Sequence, residues 1–158
     1  MRVGLGVDAH RLVPGRRLVL GGVEIDYDHG LEGHSDGDAA LHAAIDALLG
    51  AAGLGDIGEH FPSSDPRYRG ISSRLLLREA AAMLAAAGWR VVNLDLVIIA
   101  EQPRLAPYRQ AMRAAIAADL GLPVAAVSVK ATTTDGLGFT GRRDGIAAQA
   151  VALVERRV

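Results

Sequence analysis

The first ten residues alternate between apolar positions and small or polar ones. This period of two predicts a β-strand whose two faces differ in character. The faces are Val3, Leu5, Val7 and Ala9 on one side and Gly4, Gly6, Asp8 and His10 on the other. Because glycine has no side chain, the second face leaves room for another group to come close beside Asp8 and His10.

Hydrophobic patterning and turn residues predict the other elements. They are a hairpin at 18–25 with a Gly21-Gly22 turn, a helix at 39–49 that ends near Gly50 or Gly53, a long loop at 53–70, a helix at 72–87, a strand at 89–99, a helix from Pro107 to just before Gly121, a strand at 127–133, and a segment at 145–156 that fits either a helix or a strand. We expect Ser35 to be the N-cap of the first helix and Asp38 to stand at its third position. Interleaved strands and helices favour an α/β or α+β sheet covered by helices.

Composition narrows the function classes. A chain of 158 residues, half of them hydrophobic and 22% charged, is typical of one soluble globular domain, here 1–158. The absence of cysteine excludes disulfides, thiolate nucleophiles and cysteine-ligated metals. No apolar run has the length of a membrane helix and no signal peptide precedes the first strand, so we expect a cytoplasmic protein. The net charge of −1 gives no reason to expect a nucleic-acid partner.

Charge is unevenly distributed along the chain. Residues 1–65 have 11 acids and 4 arginines, whereas residues 66–158 have 13 bases and 7 acids. All five histidines lie in the first 60 residues. An acidic, histidine-rich half suits a metal ion and a basic half suits phosphate, although chance scatter would produce the same asymmetry.

Asp8 and His10 are the first candidate metal ligands. Alternate strand residues lie about 7 Å apart on one face, and a third ligand from a helix would complete a zinc site with an open fourth position. His42 is the natural third ligand, because the predicted helix also places Asp38 and Asp46 on its stripe and one of these acids could orient the imidazole. The alternative is a salt bridge or cap at the end of a strand.

Three further segments mix polar groups with turn residues. His34 precedes a predicted helix N-terminus, which attracts anions, although Ser35 alone fits a simple cap. The segment 130–136 places hydroxyls at the end of a strand, where they suit phosphate oxygens, and Asp135 suits a hard divalent cation; a polar turn is the alternative. The loop at 56–65 fits either a polyol site or a surface loop tied by its own aspartates.

Eight motifs occur in a fixed order along the chain. They are G-V-D-A-H (6–10), G-H-S-D-G-D (33–38), A-L-H (40–42), A-L-L-G-A-A (47–52), L-G-D-I-G (54–58), F-P-S-S-D-P (61–66), K-A-T-T-T (130–134) and G-F-T-G-R (138–142). Together they resemble the 2-C-methyl-D-erythritol 2,4-cyclodiphosphate synthase family of the non-mevalonate isoprenoid pathway. The resemblance extends from Arg2 to about Leu153 without a large insertion.

The resemblance implies both a reaction and an assembly. Members of the family are phosphorus–oxygen lyases that cyclise 4-diphosphocytidyl-2-C-methyl-D-erythritol 2-phosphate and release CMP. The implied fold is an α+β subunit with a four-stranded main sheet covered by helices on one side, plus a small hairpin, with 145–156 as a strand. The implied assembly is a homotrimer whose active sites lie between neighbours.

The resemblance also assigns site residues. Asp8, His10 and His42 match ligands of one Zn²⁺ per subunit, and Asp135 matches the residue for a second cation, Mg²⁺ or Mn²⁺, that bridges the substrate diphosphate. His34 and Thr133 match the catalytic residues that position or stabilise the reacting phosphates. The substrate-binding positions are Asp8, His10, His34, Ser35, Asp56, Ile57, Gly58, Phe61, Pro62, Ser63, Ser64, Asp65, Ala100, Glu101, Gln102, Pro103, Arg104, Leu105, Ala106, Ala131, Thr132, Thr133, Thr134, Asp135, Phe139 and Arg142.

Two other functions fit parts of the same pattern. A zinc-dependent phosphohydrolase would use the same ligands to generate hydroxide and would release a linear product. A non-enzymatic trimer could store or sense an isoprenoid diphosphate, which relatives hold in a central cavity lined by residues that match Phe139 and Arg142.

Overall fold

The structure, a computed structural model, describes residues 1–157. The strands are β1 (Arg2–Pro14), β2 (Leu18–Leu20), β3 (Val23–Ile25), β4 (His29–Leu31), β5 (Trp89–Ile99), β6 (Val127–Thr132) and β7 (Gly145–Arg156). The helices are α1 (Ala39–Ala52), α2 (Ile57–His60), α3 (Ser73–Ala86), α4 (Arg109–Leu120) and α5 (Gly138–Gly141). The segment 145–156 is therefore a strand, and the interleaved elements form the expected α+β fold.

The main sheet has five strands, so the prediction of four is wrong. Their order is β4-β1-β7-β5-β6, with β5 and β6 parallel and the other neighbours antiparallel. The additional strand, β4, is only three residues long and pairs with the end of β1 through Leu12–Pro14. So short a segment shows no usable alternation, which explains why the sequence does not reveal it. The predicted hairpin of β2 and β3 forms a separate small sheet.

Helices α1, α3 and α4 pack against the main sheet and enclose the core. Helix α1 is mostly buried, because its residues are apolar apart from the stripe that bears His42 and Asp46. It lies very close to β1, because a Cβ atom added at Gly4 or Gly6 would be 1.9 Å from the carbonyl oxygen of Ala47 or Ala43, respectively. The glycine face of β1 is thus the core face, and the group that approaches it is α1.

The apolar face of β1 points away from the helices. Val3, Leu5 and Val7 are 67%, 64% and 56% exposed, and Val151 on the neighbouring β7 is 42% exposed. Leu5 and Val151 are direct partners in the antiparallel register. One side of the sheet is therefore covered by helices, whereas the other presents a row of aliphatic side chains in the isolated chain.

Two local predictions are corrected by the structure. The N-cap of α1 is Asp38 rather than Ser35, and its carboxylate accepts a hydrogen bond from the backbone N–H of Leu41. The loop at 53–70 is not wholly irregular, because it contains α2 and a 3₁₀ turn at Pro66–Tyr68. Both short elements begin after an aspartate, Asp56 or Asp65, whose side chain caps the first turn.

Candidate metal centre and active site

Asp8, His10 and His42 form a compact triad at the junction of β1 and α1. The Oδ2 atom of Asp8 lies 2.8 Å from Nε2 of His10 and 3.1 Å from Nδ1 of His42. The two imidazole nitrogens are 3.2 Å apart. Alternation along β1 turns Asp8 and His10 toward α1, and the nearby glycines bring the helix close enough for His42 to join them.

The donor set fits a zinc ion. Four ligands at about 2.0–2.1 Å in a tetrahedron are separated by roughly 3.3 Å, close to the three separations in the triad. Two imidazoles and one carboxylate supply three ligands, one fewer than a tetrahedral zinc ion takes. The triad therefore has the composition and spacing of a catalytic metal site.

Hydrogen bonds determine which nitrogen of each imidazole faces the triad. His10 donates from Nδ1 to the carbonyl oxygen of Glu32 at 2.5 Å, which leaves Nε2 toward Asp8. His42 is oriented the other way, with Nδ1 in the triad and Nε2 beside the hydroxyls of Ser35 and Ser73, at 3.1 and 2.9 Å. Both rings are thus held from outside the triad, as metal-binding histidines usually are.

The acid expected to orient His42 from its own helix stripe does not do so. Asp38 accepts from the backbone N–H groups of Gly21 and Gly22, in addition to its cap bond. Asp46 accepts from the backbone N–H of Ile57 and so holds the start of α2. The hydroxyl groups of Ser35 and Ser73 lie beside His42, where the sequence predicted an acid.

The triad is electrostatically biased toward a cation. Burial alone would raise the pKa of Asp8, but hydrogen bonds and charge interactions with His10 and His42 lower it well below its usual range. The hydrogen bond and charge of Asp8 raise the pKa of His10, against the opposing effect of burial. Asp8 is therefore ionised at neutral pH, and its negative charge points at both imidazoles.

A cavity of about 270 Å³ opens directly on the triad. His34 and Ser35 line it from the loop before α1, and Ile57 and Gly58 line it from α2. Its full lining is Asp8, His10, His34, Ser35, His42, Ile57, Gly58, Phe61, Ser63, Tyr68 and Leu76. A ligand in this cavity would meet the metal ligands, one further imidazole and the α2 loop together.

The family model of the YgbB family matches residues 1–155. The chain belongs to the YgbB family. Among its relatives, the 2-C-methyl-D-erythritol 2,4-cyclodiphosphate synthase of Syntrophomonas wolfei is 61% identical over 156 residues, 99% of each chain. The protein of the same name from Moorella thermoacetica is 62% identical over 154 residues, 98% of this chain and 94% of that one.

Solved structures share the fold of this YgbB-family chain. A 2C-methyl-D-erythritol-2,4-cyclodiphosphate synthase in a CDP-bound form is 42% identical with a TM-score of 0.90, covering 98% of this chain and 100% of that one. The bifunctional IspDF of Campylobacter jejuni is 41% identical with a TM-score of 0.95; the match covers 98% of this chain but 42% of that longer protein.

The sequence-predicted residues at 100–106 and 131–133 line a different cavity, of about 370 Å³. Glu101 ties its two walls together, because its carboxylate accepts from the backbone N–H groups of Thr134 and Gly136 at 3.1 Å each. Thr133 lies in the lining of this cavity, whereas His34 lies in the lining of the triad cavity. Within one chain, the two predicted catalytic residues therefore line separate cavities.

The other predicted site residues lie around these two cavities or at a third. Asp56, Pro62, Ser64 and Asp65 belong to the loop that lines the triad cavity, where Asp65 also pairs with Arg67 at 2.6 Å. Asp135 is exposed in a left-handed backbone conformation (φ 52°) and accepts from the hydroxyl of Thr133. Phe139 and Arg142 line a cavity of about 500 Å³ that also touches His10.

Some residues at the site were not given a role from the sequence. Tyr68 and Leu76 line the triad cavity. Arg16 donates to the carbonyl oxygens of Gly33 and Ser35, at 2.9 and 2.8 Å, and so holds the segment that bears His34. No local pattern marks these residues, because each reaches the site only through the tertiary fold.

None of the helices within residues 1–157 combines the length and the apolar character needed to cross a bilayer.

Proposed function

We propose that this chain is a cyclase that converts 4-diphosphocytidyl-2-C-methyl-D-erythritol 2-phosphate to 2-C-methyl-D-erythritol 2,4-cyclodiphosphate and releases CMP. The observation that supports this most strongly is the triad of Asp8, His10 and His42, which opens on the cavity lined by His34 in a chain of the YgbB family. The names of its relatives point to the same reaction. The whole chain would act as one catalytic domain.

The metals that this function needs fit residues of the chain. The triad would hold Zn²⁺, and Asp135 would contribute to a Mg²⁺ or Mn²⁺ site, since such ions are commonly bound by one or two carboxylates together with substrate phosphates. When bound, these cations supply positive charge against the oxygens of the substrate diphosphate. The role of Asp8, His10 and His42 is to fix where that charge lies.

The reaction needs no nucleophile from the protein. An oxygen of the substrate's 2-phosphate, already ionised at pH 7, attacks the β-phosphorus, and the bond from that phosphorus to the CMP oxygen breaks. The protein has to fold the substrate into a ring-closing geometry and stabilise charge at phosphorus. The α2 loop would hold the methylerythritol part beside the triad, while His34 and Ser35 would position the reacting phosphates.

The remaining part of the substrate would occupy the 100–106 and 131–133 cavity. A CDP-bound relative supports a cytidine nucleotide as its ligand. The hydroxyl of Thr133 would stabilise the reacting phosphate chain, and Arg104 would add positive charge. Glu101 would keep the two walls of this cavity together through its bonds to the 134–136 turn.

A homotrimer would bring the two halves of the site together. His34 and Thr133 line separate cavities in one chain, and a substrate that touches both would lie where such cavities of adjacent chains meet. The exposed face of β1 supplies an interface, because burying an aliphatic side chain such as Leu5 contributes about 1.5–3 kcal/mol.

An isoprenoid diphosphate in the cavity of Phe139 and Arg142 stays a prediction.

Product analysis by phosphorus NMR in ¹⁸O-labelled water tests this function. The full chain with substrate, Mg²⁺ and Zn²⁺ should form equal amounts of CMP and the cyclic diphosphate, neither of them labelled, because the attacking oxygen belongs to the substrate. The variant His42→Ala should lose this activity. A linear, ¹⁸O-labelled product would instead identify a zinc-dependent phosphohydrolase, and no turnover by a metal-loaded protein would favour the binding-protein alternative.

A further inference from the structure

A chain of hydrogen bonds leads from His42 to a half-buried carboxylate, that of Asp36, outside the triad. Ser73, the first residue of α3, is fully buried, and its Oγ lies 2.9 Å from Nε2 of His42. The same Oγ lies 2.5 Å from Oδ1 of Asp36, in the loop before α1. The other oxygen of Asp36 accepts from the backbone N–H of Ser73 at 2.9 Å. Asp36 thus holds Ser73 by both its backbone and its side chain.

The chemistry of these groups determines which of them donates and which accepts in each hydrogen bond. An ionised carboxylate only accepts hydrogen bonds, so the single hydroxyl hydrogen of Ser73 points to Asp36. The hydroxyl oxygen then has only lone pairs to offer His42, and Nε2 must be the nitrogen that donates. When a metal ion occupies the triad, the hydrogen of the neutral imidazole would therefore sit on Nε2, and the lone pair of Nδ1, which lies 3.1 Å from Asp8, would face the ion.

We propose that Asp36 and Ser73 are positioning residues that fix the tautomer and ring orientation of His42 and thereby set the affinity of the triad for its metal ion. This inference rests on the proposed metal site. Neither residue lines the triad cavity, and each acts through His42. The hydroxyl of Ser35 also lies 3.1 Å from Nε2, but its oxygen accepts from the backbone N–H of Gly37, and among residues 1–157 no carboxylate orients it.

The first test compares Ser73→Ala with Ser72→Ala in the full chain loaded with Zn²⁺. Ser72 is the matched control, because it is the adjacent serine, is exposed, and makes no cap hydrogen bond with its side chain. Zinc retention is measured by competition with a chromogenic chelator. Ser73→Ala should weaken retention roughly 10- to 100-fold, as loss of a ligand's hydrogen-bond partner typically does, and Ser72→Ala should match the wild type.

Asp36→Asn tests these donor and acceptor roles with almost no change in the shape of the side chain. With its amide nitrogen in the place of Oδ1, asparagine would donate to Ser73 and would lose the bond that Oδ1 accepts from the backbone N–H of Asp38. The serine hydrogen would then be free to point at Nε2, which favours the tautomer whose Nδ1 cannot bind a metal. This variant should lose zinc at least as readily as Ser73→Ala. If Asp36→Asn fails to fold in a thermal melt, Ser73→Ala decides the question, because its backbone bond to Asp36 is retained.

Activity at different zinc concentrations separates positioning from general damage. For Ser73→Ala, the half-activating Zn²⁺ concentration should rise 10- to 100-fold, and excess zinc should restore most of the maximal rate. Retention within twofold of Ser72→Ala, or a lowered maximal rate with unchanged zinc dependence, would overturn the inference. If the wild type held zinc no better than Asp8→Asn, the metal site itself would be wrong, and the inference would fail with it.

Discussion

Asp38 joins the start of α1 to the turn of the β2–β3 hairpin. Its fully buried carboxylate accepts from the backbone N–H groups of Gly21, Gly22 and Leu41 at 2.7–3.0 Å. Asp38→Ala would leave these three donors without their acceptor, and we expect it to lower the free energy of unfolding by roughly 2–4 kcal/mol. Urea denaturation monitored by circular dichroism measures this change.

The control is Asp26→Ala, since Asp26 is an exposed aspartate just after the same hairpin. Its unfolding free energy should stay within about 0.5 kcal/mol of the wild type, as is usual at the surface. Equal losses in the two variants would show that the buried carboxylate has no special role in joining α1 to the hairpin.

At the scale of single residues, the sequence identifies candidate metal ligands better than it identifies the groups that orient them. The D-x-H spacing and the helix stripe suffice to propose Asp8, His10 and His42, because metal ligation depends on residue type and on local period. The partners of His42 could not be found in this way, since Ser73 is 31 residues distant in sequence and belongs to a different helix. The sequence predicted Asp38 at the third position of the helix, whereas in the structure Asp38 is the N-cap of α1.

At the scale of elements, the close contact between β1 and α1 controls the triad. A Cβ atom at Gly6 would lie 1.9 Å from the carbonyl oxygen of Ala43, so Gly6→Ala must push the helix away from the strand. We expect a loss of about 1–3 kcal/mol in the free energy of unfolding. Zinc retention should also fall, because Asp8 and His42 lie on the two elements that separate.

Gly50→Ala provides a matched control within α1. Gly50 is exposed, and an added Cβ would have no atom within 4 Å. Alanine in a helix is favoured over glycine by roughly 0.5–1 kcal/mol, so this variant should be slightly more stable and should retain zinc normally. Stable, zinc-retaining Gly6→Ala protein would contradict the role given to the close contact.

The strand pattern predicted the period of β1 correctly but not what lies beyond each face. Alternation separates the two faces, yet it does not state which of them the helices cover. In β1 the usual expectation is reversed, because glycines allow the helix to approach and the larger aliphatic side chains remain exposed. The short β4 escaped prediction because three residues cannot establish a period.

At the scale of the whole molecule, the residues that the sequence assigned to one site line two cavities. The cavity of the triad and His34 and the cavity of Thr133 are separate within the chain, and the apolar face of β1 has no cover from its own helices. The sequence alone supplied both halves through motifs and family resemblance. It contains no local signal for whether copies of the chain combine these halves, because assembly depends on whole surfaces.

In the proposed assembly, one active site combines the triad of one chain with Thr133 of its neighbour. The most direct test mixes His42→Ala and Thr133→Ala chains, each inactive alone, by refolding them together in equal amounts. If sites form between copies, random assembly restores both intact halves to roughly one quarter of the sites, and the cyclic diphosphate should form at about that fraction of the wild-type rate. A mixture no more active than its separate components, in assemblies shown by native mass spectrometry to contain both variants, would contradict the claim.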